Sequence, residues 1–188
     1  MTRMTQLSSL LIATLLLGAC SDDSHAPPLD KGTITTDGDP CAAETCNTTA
    51  LLPGDKKVAD YVKGAPEAAV SPVCVQRRID GGSVKYEQNK FVCLTRVIYT
   101  SAGASTEIEL WAFDQTDATG AKGAMDIAAD GCTDLTPTIG DASSEITAVS
   151  TYTAFARKGK TLVRVVANKK AAKDDAVALL KLIINAAP

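Results

Sequence analysis

Residues 90–100, KFVCLTRVIYT, and 105–113, STEIELWAF, are two runs rich in β-branched and aromatic side chains, separated only by Ser101-Ala102-Gly103-Ala104. A connection this short makes a hairpin, and the two strands must then pair antiparallel. The second run alternates strictly. Ile108, Leu110 and Ala112 fall on one face, with Glu107, Glu109, Trp111 and Phe113 on the other. The first face is expected to meet the core.

The rest of the chain fits a sheet carrying helices. PVCVQRRI (72–79), EITAVS (145–150), TYTAFAR (151–157) and TLVRVVA (161–167) read as further strands, with turns at Asp80-Gly81-Gly82-Ser83 and Lys158-Gly159. Asp55–Lys63 reads as a short helix, with Val58 and Val62 on one side. A second helix spans 117–131, capped by Asp117 and stopped by Gly131, with Ala121, Ala124, Met125 and Ala128 facing inward. Gly120 and Gly123 weaken it by about 1 kcal/mol each relative to alanine. The last helix covers 172–185, where Ala176, Leu179, Leu180, Ile183 and Ile184 form an apolar stripe. The expected fold class is α+β: a largely antiparallel sheet of about six strands with helices packed on it.

Ahead of this domain the chain changes character twice. Leu7–Ala19 is apolar or small, follows a short basic start, and is too short to span a bilayer, which takes about 20 residues. These are the parts of a secretory signal peptide, so residues 1–19 are expected to be removed. Residues 20–40, including SDDSHAPPLDKGTITTDGDP, have too little apolar surface to order and read as a flexible linker. Residues 41–188 form the single α+β globular domain. Loss of Arg3 with the leader would take the net charge from -3 to -4, which argues against a nucleic-acid partner. The basic doublets Lys56-Lys57, Arg77-Arg78 and Lys169-Lys170 are scattered and read as solvated surface.

Leu17-Gly18-Ala19-Cys20 resembles the lipobox of bacterial lipoproteins, an aliphatic residue and two small residues before a cysteine. The resemblance implies that the Cys20 thiol receives a diacylglycerol and becomes the mature N-terminus, tethering the domain to a membrane. Two or more acyl chains hold stably where one does not. Ser21, rather than aspartate, follows the cysteine. By the same resemblance this favours the outer membrane in a cell that has one. Further on, IGDASSEI, then AFARKGKTLVRVVA and the closing helix, resemble the sensor-type lipoprotein domains of actinobacteria, with a PsbP/Mog1-like sandwich. That resemblance implies ligand or envelope binding and carries over no catalytic residue.

Five cysteines follow Cys20: Cys41, Cys46, Cys74, Cys93 and Cys132. In an exported chain disulfides are the default, and two bridges among five cysteines can be drawn in about 15 ways that spacing does not resolve. The pairs expected are Cys41–Cys46 across a small loop and Cys74–Cys93 across two strands. Cys132 is then free, or bonded to the Cys41/Cys46 segment. There is no CxxC spacing and no nearby histidine, so no metal site is expected.

Little catalytic chemistry remains. His25 is the one histidine and lies in the linker, which leaves no residue for a triad, a Cys-His pair or a multi-histidine metal site. The chain carries no GxGxxG after a strand, no Walker loop, no GxSxG and no SxxK. No cofactor is expected. Glu107 and Glu109 share a strand face about 6.6–7 Å apart, a carboxyl spacing compatible with a carboxylate-dependent hydrolase. Alternating glutamates on a solvated sheet face are the favoured explanation, since a sugar-binding cleft would need more aromatic residues than this chain has. Trp111 and Phe113 extend the same row, as an aromatic patch rimmed by carboxylates if the face is open, or as packing beneath a helix or loop if it is not. The expected function is a lipid-anchored, non-enzymatic binding or sensing domain of the cell envelope. Its partner would be an envelope protein, a glycan or a small molecule; the alternatives are the hydrolase and a purely structural surface protein.

Overall fold

The computed structural model describes residues 39–79, 82–103 and 105–188. The leader, Cys20, His25, the linker up to residue 38 and the Asp80-Gly81 half of one expected turn lie outside the described residues. In chain order the elements are β1 (Tyr61–Lys63), β2 (Glu67–Ala69), α1 (Pro72–Ile79), α2 (Val84–Glu87), β3 (Phe91–Ser101) and β4 (Glu107–Gln115). Then come α3 (Ala118–Ala128), β5 (Thr133–Asp134), β6 (Ala142–Thr147), β7 (Tyr152–Lys158), β8 (Thr161–Ala167) and α4 (Lys173–Ala186).

The eight strands form one sheet in the order β1-β3-β4-β8-β7-β6-β5, with β2 also pairing with β3; all the strand pairs are antiparallel. This is the α+β class expected. Among the described residues there are eight strands where about six were expected: β1, β2 and β5, of only two or three residues each, are additional, and one expected strand is the helix α1. Runs that short show no alternation to read.

Helices cover both faces. On one face α4 lays Ala176, Leu179, Leu180, Ile183 and Ile184 against Leu110 and Ala112 of β4, Val163 and Val165 of β8, and Ala154 and Ala156 of β7, all buried. The apolar stripe of the last helix and the inward face of β4 are thus both as expected. At the rim of this face Glu145 of β6 accepts the Tyr152 hydroxyl at 2.7 Å and pairs with Lys173 of α4 at 2.8 Å. Burial raises its pKa, but the Lys173 and Tyr152 hydrogen bonds outweigh that and hold it below the ordinary 4.5. A group with a lowered folded pKa stabilises fully above its unfolded value and loses that contribution as the pH falls through the folded one. The melting temperature should therefore drop below pH 4.5, and less steeply in Glu145→Gln, which at neutral pH should be about 1 kcal/mol less stable. Equal slopes in thermal melts taken between pH 7 and pH 3 would count against this coupling.

On the opposite face α3, α1 and α2 cover one half. Asp117 caps α3 by accepting the Gly120 N–H at 2.9 Å, and Ala121, Ala124, Met125 and Ala128 are buried. Gly131 follows with φ +76, the left-handed conformation that ends the helix. Gly120 and Gly123 have a role beyond weakening α3. A Cβ on Gly120 would lie 2.5 Å from the Asn89 carbonyl oxygen, and one on Gly123 would lie 2.2 Å from Asn89 Oδ1. They let the segment after α2 approach the helix directly.

Three local expectations are corrected. PVCVQRRI is helix α1, not a strand. Pro72 occupies its first position, the Val75 N–H bonds the Ser71 carbonyl, and Arg77 and Arg78 sit in the last turn where the helix dipole favours cations. Glu44 accepts the N–H groups of Val70 at 2.5 Å and Ser71 at 3.2 Å, just ahead of that first turn. Asp55–Lys63 is a loop ending in β1: Lys56 and Ala59 adopt positive φ, and Asp55 Oδ1 takes the Lys63 N–H instead of capping a helix. Val58 and Tyr61 are buried in the core while Val62 is exposed, so the expected face of Val58 and Val62 does not exist. EITAVS begins three residues earlier, as β6.

The disulfides are also paired otherwise. Cys41 bonds Cys74 and Cys46 bonds Cys93, and Cys132 is not a free thiol. Cys41 and Cys46 are drawn to opposite sides of the sheet edge. Cys41 lies among the residues packed with α1, and Cys46 leads into the 47–51 turn, whose Thr48 reaches Thr95 at 2.8 Å and the Ala112 carbonyl at 3.1 Å. Cys74 is helical, so it cannot face Cys93 as a cross-strand neighbour.

Candidate functional site

Among the described residues, the second sheet face is covered by helices at one end and by none at the other. Its first row, Leu94, Phe113 and Leu162, is fully buried beneath α3 and Tyr86, whose ring stacks on Phe113 at 3.9 Å. The next row, read across β3, β4, β8 and β7, is Arg96, Trp111, Arg164 and Phe155. The third is Ile98, Glu109, Val166, Thr153 and Ile146, all half-buried, and beyond it Thr100 and Glu107 are exposed. The boundary row therefore alternates cation and aromatic across four adjacent strands.

The four candidates on β4 run down this gradient. Phe113 is core at 1% exposure, Trp111 is buried at 8%, Glu109 is half-buried and Glu107 is exposed. The aromatic pair thus packs under the helical cover and does not form an open patch. The chain itself places a cation against these aromatics: the Arg164 guanidinium lies over Trp111 at 4.9 Å and over Phe155 at 5.8 Å. The indole N–H of Trp111 reaches the Arg78 carbonyl at 3.5 Å.

Glu109 is not an unengaged carboxylate. Arg96 donates to it through Nε and to Glu67 through Nη1 at 2.8 Å, and Glu67 also faces Arg78 at 3.5 Å. Arg78 in turn donates to Asp39 at 2.8 Å. A chain of alternating charge, Asp39–Arg78–Glu67–Arg96–Glu109, thus crosses the edge of the sheet. Burial works against the charge on Arg96, but Glu109 and Glu67 outweigh it and hold the guanidinium protonated more firmly than usual. Asp39 is held below the ordinary carboxylate range by the Cys41 N–H first and by Arg78 next. Pairs this exposed add little stability, so their main effect is on orientation. Arg78, expected to be solvated, has a side chain only 15% exposed.

Beside this chain of charges, between the 39–49 segment and β2, lies an open pocket of about 390 Å³. Asp39, Glu44, Thr45, Thr49, Glu67 and Arg78 supply its polar lining. Among the described residues no cluster of three metal-ligating side chains occurs, and no helix is long and apolar enough to cross a membrane.

Sequence reasoning missed Asp39, Glu67, Arg78, Arg96 and Arg164. Two of these left a signal: Arg96 in LTRVI and Arg164 in LVRVV are single cations inside apolar strand runs, where an arginine needs partners.

The molecule is defined so far as an α+β domain with one antiparallel sheet, helices on both faces and half of one face open. No protein-family model matches the chain, and no curated protein matches it. Among solved structures it is similar to the extracellular domain of PknH from Mycobacterium tuberculosis, with 13% identity and a TM-score of 0.47, over 73% of this chain and 94% of that one.

Proposed function

We propose that this chain is an exported, lipid-anchored domain of the cell envelope that binds a ligand without chemical turnover. The observation that carries the reading is the pair of disulfides, which join positions 33 and 47 residues apart. Such bridges persist in oxidising compartments and are rare in reducing ones. They agree with the export that the Leu7–Cys20 segment implies. The half-open face, with its oriented charges, is the surface offered to a ligand. The hydrolase reading loses support because Glu109, one of its two carboxylates, is already engaged by Arg96. A purely structural role would give the open rows no specific partner.

The anchoring is tested on the mature protein purified from membranes. Mass spectrometry of its N-terminal peptide should find Cys20 as the first residue, carrying a diacylglyceryl thioether, and Cys20→Ser should move the protein from the detergent phase to the aqueous phase. A thioether leaves the sulfur no valence for a disulfide. Recovery of Cys20 as a free thiol or in a disulfide would therefore overturn the proposal, as would a chain that starts elsewhere.

A further inference from the structure

Arg164 stands apart from the other arginines among the described residues. Arg77 and Arg78 face Asp39, Arg96 faces Glu67 and Glu109, and Arg157 faces Asp141. Of these arginines, Arg164 alone makes no ion pair among the described residues; its Nε, like those of Arg78 and Arg157, is buried without an acceptor. An arginine cannot shed its proton to escape this position. Its guanidinium carbon lies over the rings of Trp111 and Phe155, and contact with ring faces leaves N–H donors free for an acceptor. Those donors form a rigid fork suited to two oxygens of one anion. The nearest acid in the next row, Glu109, is committed to Arg96.

The surface around Arg164 adds a second requirement. Beside it lies the half-buried row of Ile98, Glu109, Val166, Thr153 and Ile146, aliphatic on the Val166 and Ile146 side and left uncovered by the described helices. We propose that Arg164 anchors an oxyanion-binding site on the open half of this face, taking the carboxylate or phosphate of an amphiphile whose apolar part lies along Val166 and Ile146. The inference rests on the binding-domain reading above and names its ligand class. An anionic lipid headgroup and a free alkyl acid present the same chemistry to the fork.

Trp111 is the only tryptophan in the chain and lies against Arg164, so its fluorescence reports the site directly. The purified full chain is titrated with hexanoate, hexyl phosphate and uncharged hexanol, and separately with vesicles of phosphatidylglycerol or phosphatidylcholine. The expected result is a saturable change in Trp111 emission with the anions and none with hexanol. Arg164→Gln should weaken the response at least tenfold, and Arg164→Lys, which keeps the charge but loses the fork, should weaken it by less. A response to hexanoate places the source in free alkyl acids; a response to phosphatidylglycerol vesicles alone places it in lipid headgroups. A response to hexanol as large as one seen with hexanoate, equal responses to phosphatidylglycerol and phosphatidylcholine vesicles, responses unchanged in Arg164→Gln, or no response to any anion would each overturn the site. The wild-type comparison of hexanoate with hexanol decides the matter even if Arg164→Gln does not fold. Failure here leaves the Cys20 mass unchanged, and failure of anchoring leaves the Trp111 titration unchanged, so the two readings fail separately.

Discussion

Replacing both Cys46 and Cys93 by alanine is expected to lower the unfolding free energy by about 4 kcal/mol, or about 10–15 °C in melting temperature for a domain of this size. The estimate comes from the loop that the bridge closes, 47 residues by sequence separation, which costs the unfolded chain entropy when tied. Native contacts add to the effect. The bridge brings Thr48 to Thr95 and to the Ala112 carbonyl, in a stretch where Thr48 is 2% exposed and Thr95 fully buried. Without it, the 41–52 segment has fewer constraints holding it across the sheet edge. Removing Cys41–Cys74 alone should be comparably damaging, since its loop spans 33 residues. Because residues 46–74 belong to both loops, each bridge shortens the loop that the other closes, so losing both should cost more than the sum of the two single losses. Urea or thermal unfolding of the variants measures this, and an unchanged midpoint in the Cys46/Cys93 variant would show that the bridge does not stabilise the domain.

Gly120→Ala should destabilise the domain by about 2 kcal/mol, although alanine is the better helix former. In an isolated helix the substitution would gain about 1 kcal/mol. Within the fold the new Cβ would meet the Asn89 carbonyl oxygen at 2.5 Å and the Lys90 Cβ at 3.1 Å. That backbone cannot easily retreat. The Lys90 carbonyl accepts the Thr116 N–H at 2.8 Å, and the Asn89 N–H is bonded to the Tyr86 carbonyl at 3.0 Å. Overpacking against fixed atoms costs about 1–3 kcal/mol, more than the propensity returns. Gly123→Ala is the internal control. Its Cβ meets the Asn89 side chain, which can rotate away at the loss of its 2.6 Å hydrogen bond to the Lys85 carbonyl, so the penalty should be smaller. If Gly120→Ala raised the urea midpoint instead, the close approach of α3 to residues 89–90 would be wrong.

Both cases rest on contacts that the sequence alone did not reveal, whereas its long periodic segments were legible. β3 and β4, the β7–β8 hairpin, α3 with its Asp117 cap, and α4 all carry long periodic signals that stand above local noise. α1 was misread because Val73, Cys74, Val75 and Ile79 suggest a strand, while the Ser71-Pro72 start and the Arg77-Arg78 end carried the helical signal. Of the candidate site residues, the sequence placed Glu107, Glu109, Trp111 and Phe113 correctly on one face, but not their environments. Alternation assigns a face; it does not say how far along the strand a helix covers that face.

The chain alone determined its α+β class, the hairpins that make the sheet antiparallel, the inward faces of β4 and α4, and the expectation of a lipid at Cys20. Each follows from neighbours in sequence, through periodicity, turn chemistry or a short motif. Only the tertiary structure decided which cysteines meet, which half of the sheet stays open, and why Gly120 lies inside a helix. It also decided that Arg96 is engaged by acids while Arg164 rests on Trp111 and Phe155. Those outcomes depend on residues dozens of positions apart coming within a few ångströms, and no local pattern encodes that distance.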